Sequence, residues 1–132
     1  MKATILLIDD HRGIRDLLGD ALRLQGYAVT VASNGQEALN SLRKTGFDLV
    51  LLDFDMAVST GWDTLSQIIT TSLSLPLIVI TGRPHDKRLA MQKGITAVLE
   101  KPLDVPLLLN RVERVLADAA QAHAKETRPD SP

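Results

Sequence analysis

The run Phe47-Asp48-Leu49-Val50-Leu51-Leu52 delivers an isolated carboxylate, Asp53, and two residues later a second, Asp55. Other short apolar runs also end in groups capable of chemistry: one in Asp9-Asp10, one in Thr81-Gly82 and one in Lys101-Pro102. Clustered carboxylates repel and raise one another's pKa unless a cation sits among them. An all-oxygen donor set with room for water suits Mg2+. The Lys101 ammonium and the Thr81 hydroxyl are receptors for an anion, one as a point charge and the other as a hydrogen-bond donor. A nucleophilic carboxylate, a magnesium ion and an anion receptor together specify phosphoryl chemistry, which depends on positioning and charge neutralisation. Asp53 is then the nucleophile and forms an acyl phosphate. Taken alone, Asp53 serves equally well as a cap for the following turn. The fold decides between the two.

Ile5-Leu6-Leu7-Ile8 reads as a first buried strand, Tyr27 to Val31 as a second, the run ending at Asp53 as a third, Pro76 to Ile80 as a fourth and Thr96 to Leu99 as a fifth. Runs this short and this apolar suit strands covered on both faces. Between them, Ile14, Leu17, Leu18, Ala21 and Leu22 recur at helical spacing, and Gly26 ends that helix. Asn34 with Glu37 marks a second helix start, and Gly61 opens a third carrying Trp62, Leu65, Ile68 and Ile69. A polar fourth helix is expected over about 84–93, and Val105, Leu108, Leu109, Val112, Val115, Leu116 and Ala119 mark an amphipathic fifth capped by Asp104. Alternating strands and helices give an α/β fold, a parallel sheet covered on both faces. With right-handed crossovers, the flavodoxin-like order 2-1-3-4-5 in a three-layer (βα)5 sandwich is the expected topology. That order makes strands one, three, four and five consecutive neighbours, so Asp9, Asp10, Asp53, Thr81 and Lys101 converge on one edge.

At 132 residues the chain makes one domain. Residues 1–119 form it, and 120–132 read as a polar tail or severed linker. Cysteine is absent, which removes disulfides and thiolate metal sites. With 15 basic and 16 acidic residues, nothing argues for nucleic acid or an anionic membrane as a direct partner. No apolar run approaches the roughly 20 residues of a membrane span, and a secretory leader is not apparent, so a cytoplasmic location is expected.

Asp9-Asp10, Asp53 with Met56 and Gly61, Thr81-Gly82 and Lys101-Pro102, in that order and spacing, resemble the receiver domain of bacterial two-component response regulators, the CheY-like fold. The resemblance covers roughly residues 3–119. It implies that Asp53 accepts a phosphoryl group from a phosphohistidine on a sensor histidine kinase or histidine phosphotransfer protein. It further implies that Asp10 binds Mg2+ directly, Asp9 mainly through water, and that Asp53 and the Asp55 backbone carbonyl complete the protein ligands. Thr81 and Lys101 would contact phosphoryl oxygens, the Lys101–Pro102 peptide would be cis, and Asp55 and Arg83 would tune phosphoryl hydrolysis. An Asp55–Arg83 ion pair over the cleft mouth follows from their opposite charges. Such a domain is a switch with slow autodephosphorylation, not a turnover enzyme. Its output partner would read the face of the fourth helix, fifth strand and fifth helix, and a homodimer is compatible with it.

The sequence departs from that pattern in places. Ala57 stands where proline is usual, Thr60 precedes Gly61, and Val98 occupies the position of a switch aromatic, so the signal leaves the site by another route or the domain mainly relays phosphate. His11, His85 and His123 lack a second ligand at useful spacing, and Trp62 reads as core. A pseudo-receiver that is never phosphorylated is one competing reading. The other is a phosphatase of the haloacid-dehalogenase type, which Asp53-Phe54-Asp55 suggests but whose nucleophile belongs on the first strand.

Overall fold

The structure is a computed structural model that describes residues 3–55, 61–71, 74–83, 88 and 95–126. In chain order its elements are β1 (Thr4–Ile8), α1 (Arg12–Leu24), β2 (Ala28–Ala32), α2 (Gly35–Lys44), β3 (Leu49–Asp53), α3 (Gly61–Thr71), β4 (Leu77–Thr81), β5 (Ala97–Glu100) and α4 (Val105–Glu126). The helix expected over about 84–93 lies outside the described residues, as do Met56, Ala57 and Thr60, His85 and residues 127–132; so do the side chains of Trp62 and His123.

The strands form one parallel five-stranded sheet in the order β2-β1-β3-β4-β5. Strand alternation sorts the apolar residues into two cores. Leu6, Ile8, Val50, Leu52 and Val79 point to one face, where Ala38 of α2 and Leu65 and Ile68 of α3 cover them. Ile5, Leu7, Leu49, Leu51, Ile78 and Ile80 point to the other, beneath Leu18 and Leu22 of α1 and Leu108, Val112 and Val115 of α4. This is the three-layer flavodoxin-like α/β sandwich that the alternation of elements predicts.

Local signals set the helix ends. Gly26, with φ of 98°, follows α1 in the left-handed conformation that glycine adopts most cheaply. Asn34 Oδ1 accepts the Glu37 N–H at 2.9 Å, and Glu37 Oε1 reaches back to the Ser33 N–H and hydroxyl. Asp104 Oδ1 accepts the Leu107 N–H at 3.1 Å and so caps α4. That helix continues to Glu126, past the expected boundary at 119. Ala117, Ala119, Ala120, Ala122 and Ala124 favour its continuation, because alanine has the highest helix propensity.

The buried stripe of α1 is narrower than the sequence suggests. Leu18 and Leu22 are buried, but Ile14 and Leu17 are 38% and 58% exposed. The inward position one turn before Leu18 belongs to Arg15, whose Nη1 donates to the Asp9 carbonyl at 2.9 Å.

Candidate functional site

The polar groups collect where the strands end. The Asp9 N–H donates to Ala32 O at 3.1 Å and the Phe54 N–H to Ile80 O at 2.8 Å, so the parallel ladder carries on past β1 and β3. The Lys101 N–H donates to Thr81 O at 2.9 Å, which ties the exit of β5 to that of β4. The Lys101–Pro102 peptide is cis.

Asp53 is the centre of the cluster and only 2% exposed. Lys101 Nζ lies 3.1 Å from its Oδ1 and 3.2 Å from its Oδ2. The Asp55 N–H donates to Oδ1 at 2.9 Å, a local turn that holds the carboxylate at the strand end. On the β1 side, Asp9 is equally buried, and its Oδ1 accepts the His11 N–H at 2.9 Å. His11 Nδ1 lies 3.0 Å from Asp10 Oδ1 and 3.4 Å from Asp9 Oδ1. Burial raises the pKa of Asp9, the Asp53 charge raises it further, and the hydrogen bond from His11 only partly offsets this.

On the β4 side the side chain of Asp55 gathers donors. The Gly82 N–H donates to its Oδ2 at 2.8 Å, the Thr81 hydroxyl to its Oδ1 at 3.3 Å, and Lys101 Nζ lies 3.2 Å from Oδ2. A methyl group on Gly82 would meet Asp55 Oδ2 at 3.3 Å, so glycine lets the carboxylate approach the main chain. Burial acts to raise the Asp55 pKa, but the Gly82 N–H, Lys101 and Thr81 together outweigh it and hold the carboxyl below its ordinary value. For Lys101, burial favours loss of the proton, and contact with Asp53 and then Asp55 overcomes it, so the ammonium titrates above its usual range. Arg83 Nε stands 4.0 Å from Asp55 Oδ1 and is 72% exposed, so that pair adds little.

The fold therefore brings together Asp9, Asp53, Asp55, Thr81 and Lys101, with Asp10 beside them against His11. Val98 stands apart on β5, half-buried against the core that includes Val79 and Ile95. Sequence spacing missed His11 and Arg15. His11 comes within ligand range only because the sheet sets Asp53 beside Asp9, and Arg15 because one helical turn returns it to the strand end. The side chain of Asp55 also does more than its place in the sequence suggests.

Asp9, Asp53 and His11 each offer a ligand atom, all within 4.8 Å of one another. Two buried carboxylates beside a further acidic side chain, with a raised Asp9 pKa, are a donor set that a divalent cation would relieve, and their oxygens suit Mg2+. No helix among the described residues is long and apolar enough to cross a membrane.

Residues 5–113 match the model of the response regulator receiver domain. The chain is 34% identical over 122 residues to the transcriptional regulatory protein GlrR of Escherichia coli, covering 91% of this chain and 28% of that protein. The chain spans only part of the length of curated relatives that it matches, 11% of one and 56% of another. The response regulator protein TrrA of Thermotoga maritima, solved in complex with Mg(2+)-BeF, superposes with a TM-score of 0.78 at 29% identity, covering 87% of this chain and 99% of that one. A CheY-like receiver domain protein of Methanospirillum hungatei gives a TM-score of 0.86 at 23% identity, covering 92% and 99%, and so supports the fold. A buried aspartate at the end of β3, an acidic pair after β1, a threonine at the end of β4 and a lysine after β5 sit inside the matched span, and the chain belongs to the response regulator receiver domain family.

Proposed function

We propose that this chain is the phosphoacceptor of a two-component phosphorelay, with Asp53 taking a phosphoryl group from a phosphohistidine on a sensor histidine kinase or histidine phosphotransfer protein. The observation that carries this reading is the buried Asp53 carboxylate gripped by Lys101 through both oxygens, with Asp9 alongside. An Asp53 oxygen attacks phosphorus, the new O–P bond forms as the N–P bond breaks, and the electron pair returns to the imidazole nitrogen, which takes a proton. Lys101 and Thr81 receive the phosphoryl oxygens. Asp9, Asp10, Asp53 and the Asp55 backbone carbonyl would hold Mg2+, which neutralises charge on the transferring group. Asp55 and Arg83 tune how long the acyl phosphate survives in water, and its slow hydrolysis resets the domain. The domain acts in the cytoplasm. Its output face comprises β5 and α4; the expected fourth helix lies outside the described residues.

The family, the order of the strands and the complete Asp, Thr and Lys set favour this reading over a pseudo-receiver. A nucleophile on the third strand disfavours the phosphatase. Incubation with acetyl phosphate and Mg2+ should add the mass of one phosphoryl group, and Asp53→Asn should abolish the gain. No gain in the wild type would favour the pseudo-receiver, and sustained hydrolysis of a phosphomonoester would favour the phosphatase.

A further inference from the structure

Lys101 and Thr81, expected to receive a phosphoryl group on Asp53, are already engaged, and so is the adjoining Gly82 N–H. Lys101 has three ammonium protons, and its nitrogen lies 3.1 Å and 3.2 Å from the two Asp53 oxygens and 3.2 Å from Asp55 Oδ2. Thr81 has one hydroxyl proton, and its acceptor is Asp55 Oδ1. Gly82 has one N–H, and it donates to Asp55 Oδ2 at 2.8 Å. The Thr81 oxygen also accepts the Arg83 N–H at 3.1 Å, which fixes the hydroxyl in place. Every proton of the three groups thus has an acceptor within bonding distance, and Asp55 supplies an acceptor to all three.

We propose that the Asp55 carboxylate is a resident anion in the phosphoryl receptor, and that an oxyanion on Asp53 must expel it to reach Thr81, Gly82 and Lys101. This rests on Asp53 being the phosphoacceptor, and it assigns Asp55 a role as a positioning residue in the unmodified state. The chemistry of the receptor supports it. A backbone N–H, a hydroxyl and an ammonium are what a phosphoryl group uses, and a carboxylate presents two oxygens to the same donors. The incoming group also carries about two negative charges, so both anions cannot remain close to the single ammonium. The exchange makes the unmodified state more stable and the transfer correspondingly harder.

The test compares the wild type with Asp55→Asn and Asp55→Ala. Fluoroberyllate with Mg2+ serves as the probe of the receptor, titrated by calorimetry, and the Gly82 amide is followed by NMR. Alanine leaves the receptor empty and should bind the probe about tenfold more tightly than wild type, while asparagine, uncharged but still an acceptor, should fall between. In the protein without probe, the Gly82 proton should move upfield in Asp55→Ala and return downfield when fluoroberyllate binds. In the wild type it should stay downfield throughout, because one acceptor replaces another. Equal affinities for the two variants would reduce Asp55 to a general charge effect and overturn the proposal, as would a Gly82 proton unmoved by Asp55→Ala. Failure of the wild type to bind fluoroberyllate at any concentration would instead remove the phosphoacceptor reading, since the Gly82 shift in the unliganded variants reports the resident anion independently.

Discussion

Asp9 and Asp53 meet across the ends of adjacent parallel strands, each 2% exposed, and the charge of Asp53 adds to the burial that raises the pKa of Asp9. Two buried like charges, with the Lys101 ammonium in contact with Asp53 but not Asp9, favour function over stability. Asp9→Asn should therefore raise unfolding free energy by about 1 kcal/mol at neutral pH without divalent metal. Wild type should gain about 1.4 kcal/mol when Mg2+ is supplied at ten times its dissociation constant, and the variant should gain much less. Urea unfolding with and without Mg2+ measures both effects; a variant less stable than wild type in EDTA would refute the balance.

The shifts of Asp9 and Asp55 set a pH dependence with opposite signs. Asp9 titrates above the ordinary 3.8 in the folded protein, so the folded state holds more protons than the unfolded above that value and stability falls as pH rises through the folded pKa. Asp55 titrates below 3.8, so its contribution is fully present above that value and is lost as pH falls through the lower, folded pKa. Asp9→Asn should flatten the decline above 3.8, and Asp55→Asn should flatten the loss below it. Denaturant midpoints across the acid range, in metal-free buffer, separate the two limbs.

A third expectation concerns the fold alone. Asn34 Oδ1 caps α2 through the Glu37 N–H, and Glu37 closes the turn on Ser33. Asn34→Ala should cost about 1 kcal/mol. Because the cap bonds join only Ser33, Asn34 and Glu37 and engage none of Asp53, Thr81 and Lys101, the change should leave phosphorylation by acetyl phosphate intact. A loss of both stability and phosphorylation would mean that the two are coupled through the sheet.

Sheet order and the edge that carries the site were legible because strands buried on both faces leave an apolar signature and the crossover rule leaves few topologies. Details failed where a polar residue stands in a regular position. β2, β4 and β5 each lie one residue later than the apolar runs suggest, because the ladder takes in Ala32, Thr81 and Glu100. Ile14 and Leu17 read as core, yet Arg15 takes the inward position to reach the Asp9 carbonyl. Spacing along the chain also cannot show where a side chain turns after a strand ends. The resemblance gives the Asp55 side chain only a tuning role, because its neighbours in sequence are not its partners; Thr81, Gly82 and Lys101 reach it from two other strands.

Lys101 supplies the last prediction. It is the cation that touches both Asp53 and Asp55, and its removal leaves a buried carboxylate facing Asp9 with its charge uncompensated. Lys101→Met should therefore cost about 2 kcal/mol in metal-free buffer, below the full cost of breaking a wholly buried pair because the ammonium is partly exposed. In an Asp53→Asn background the same change should cost less than half as much, because the charge it strands is gone. The difference is a coupling energy of about 1 kcal/mol, measurable in a double-mutant cycle by urea unfolding. Additive effects would mean that Lys101 stabilises the fold through its aliphatic stem or through Asp55, and that its grip on Asp53 contributes nothing to the unmodified state.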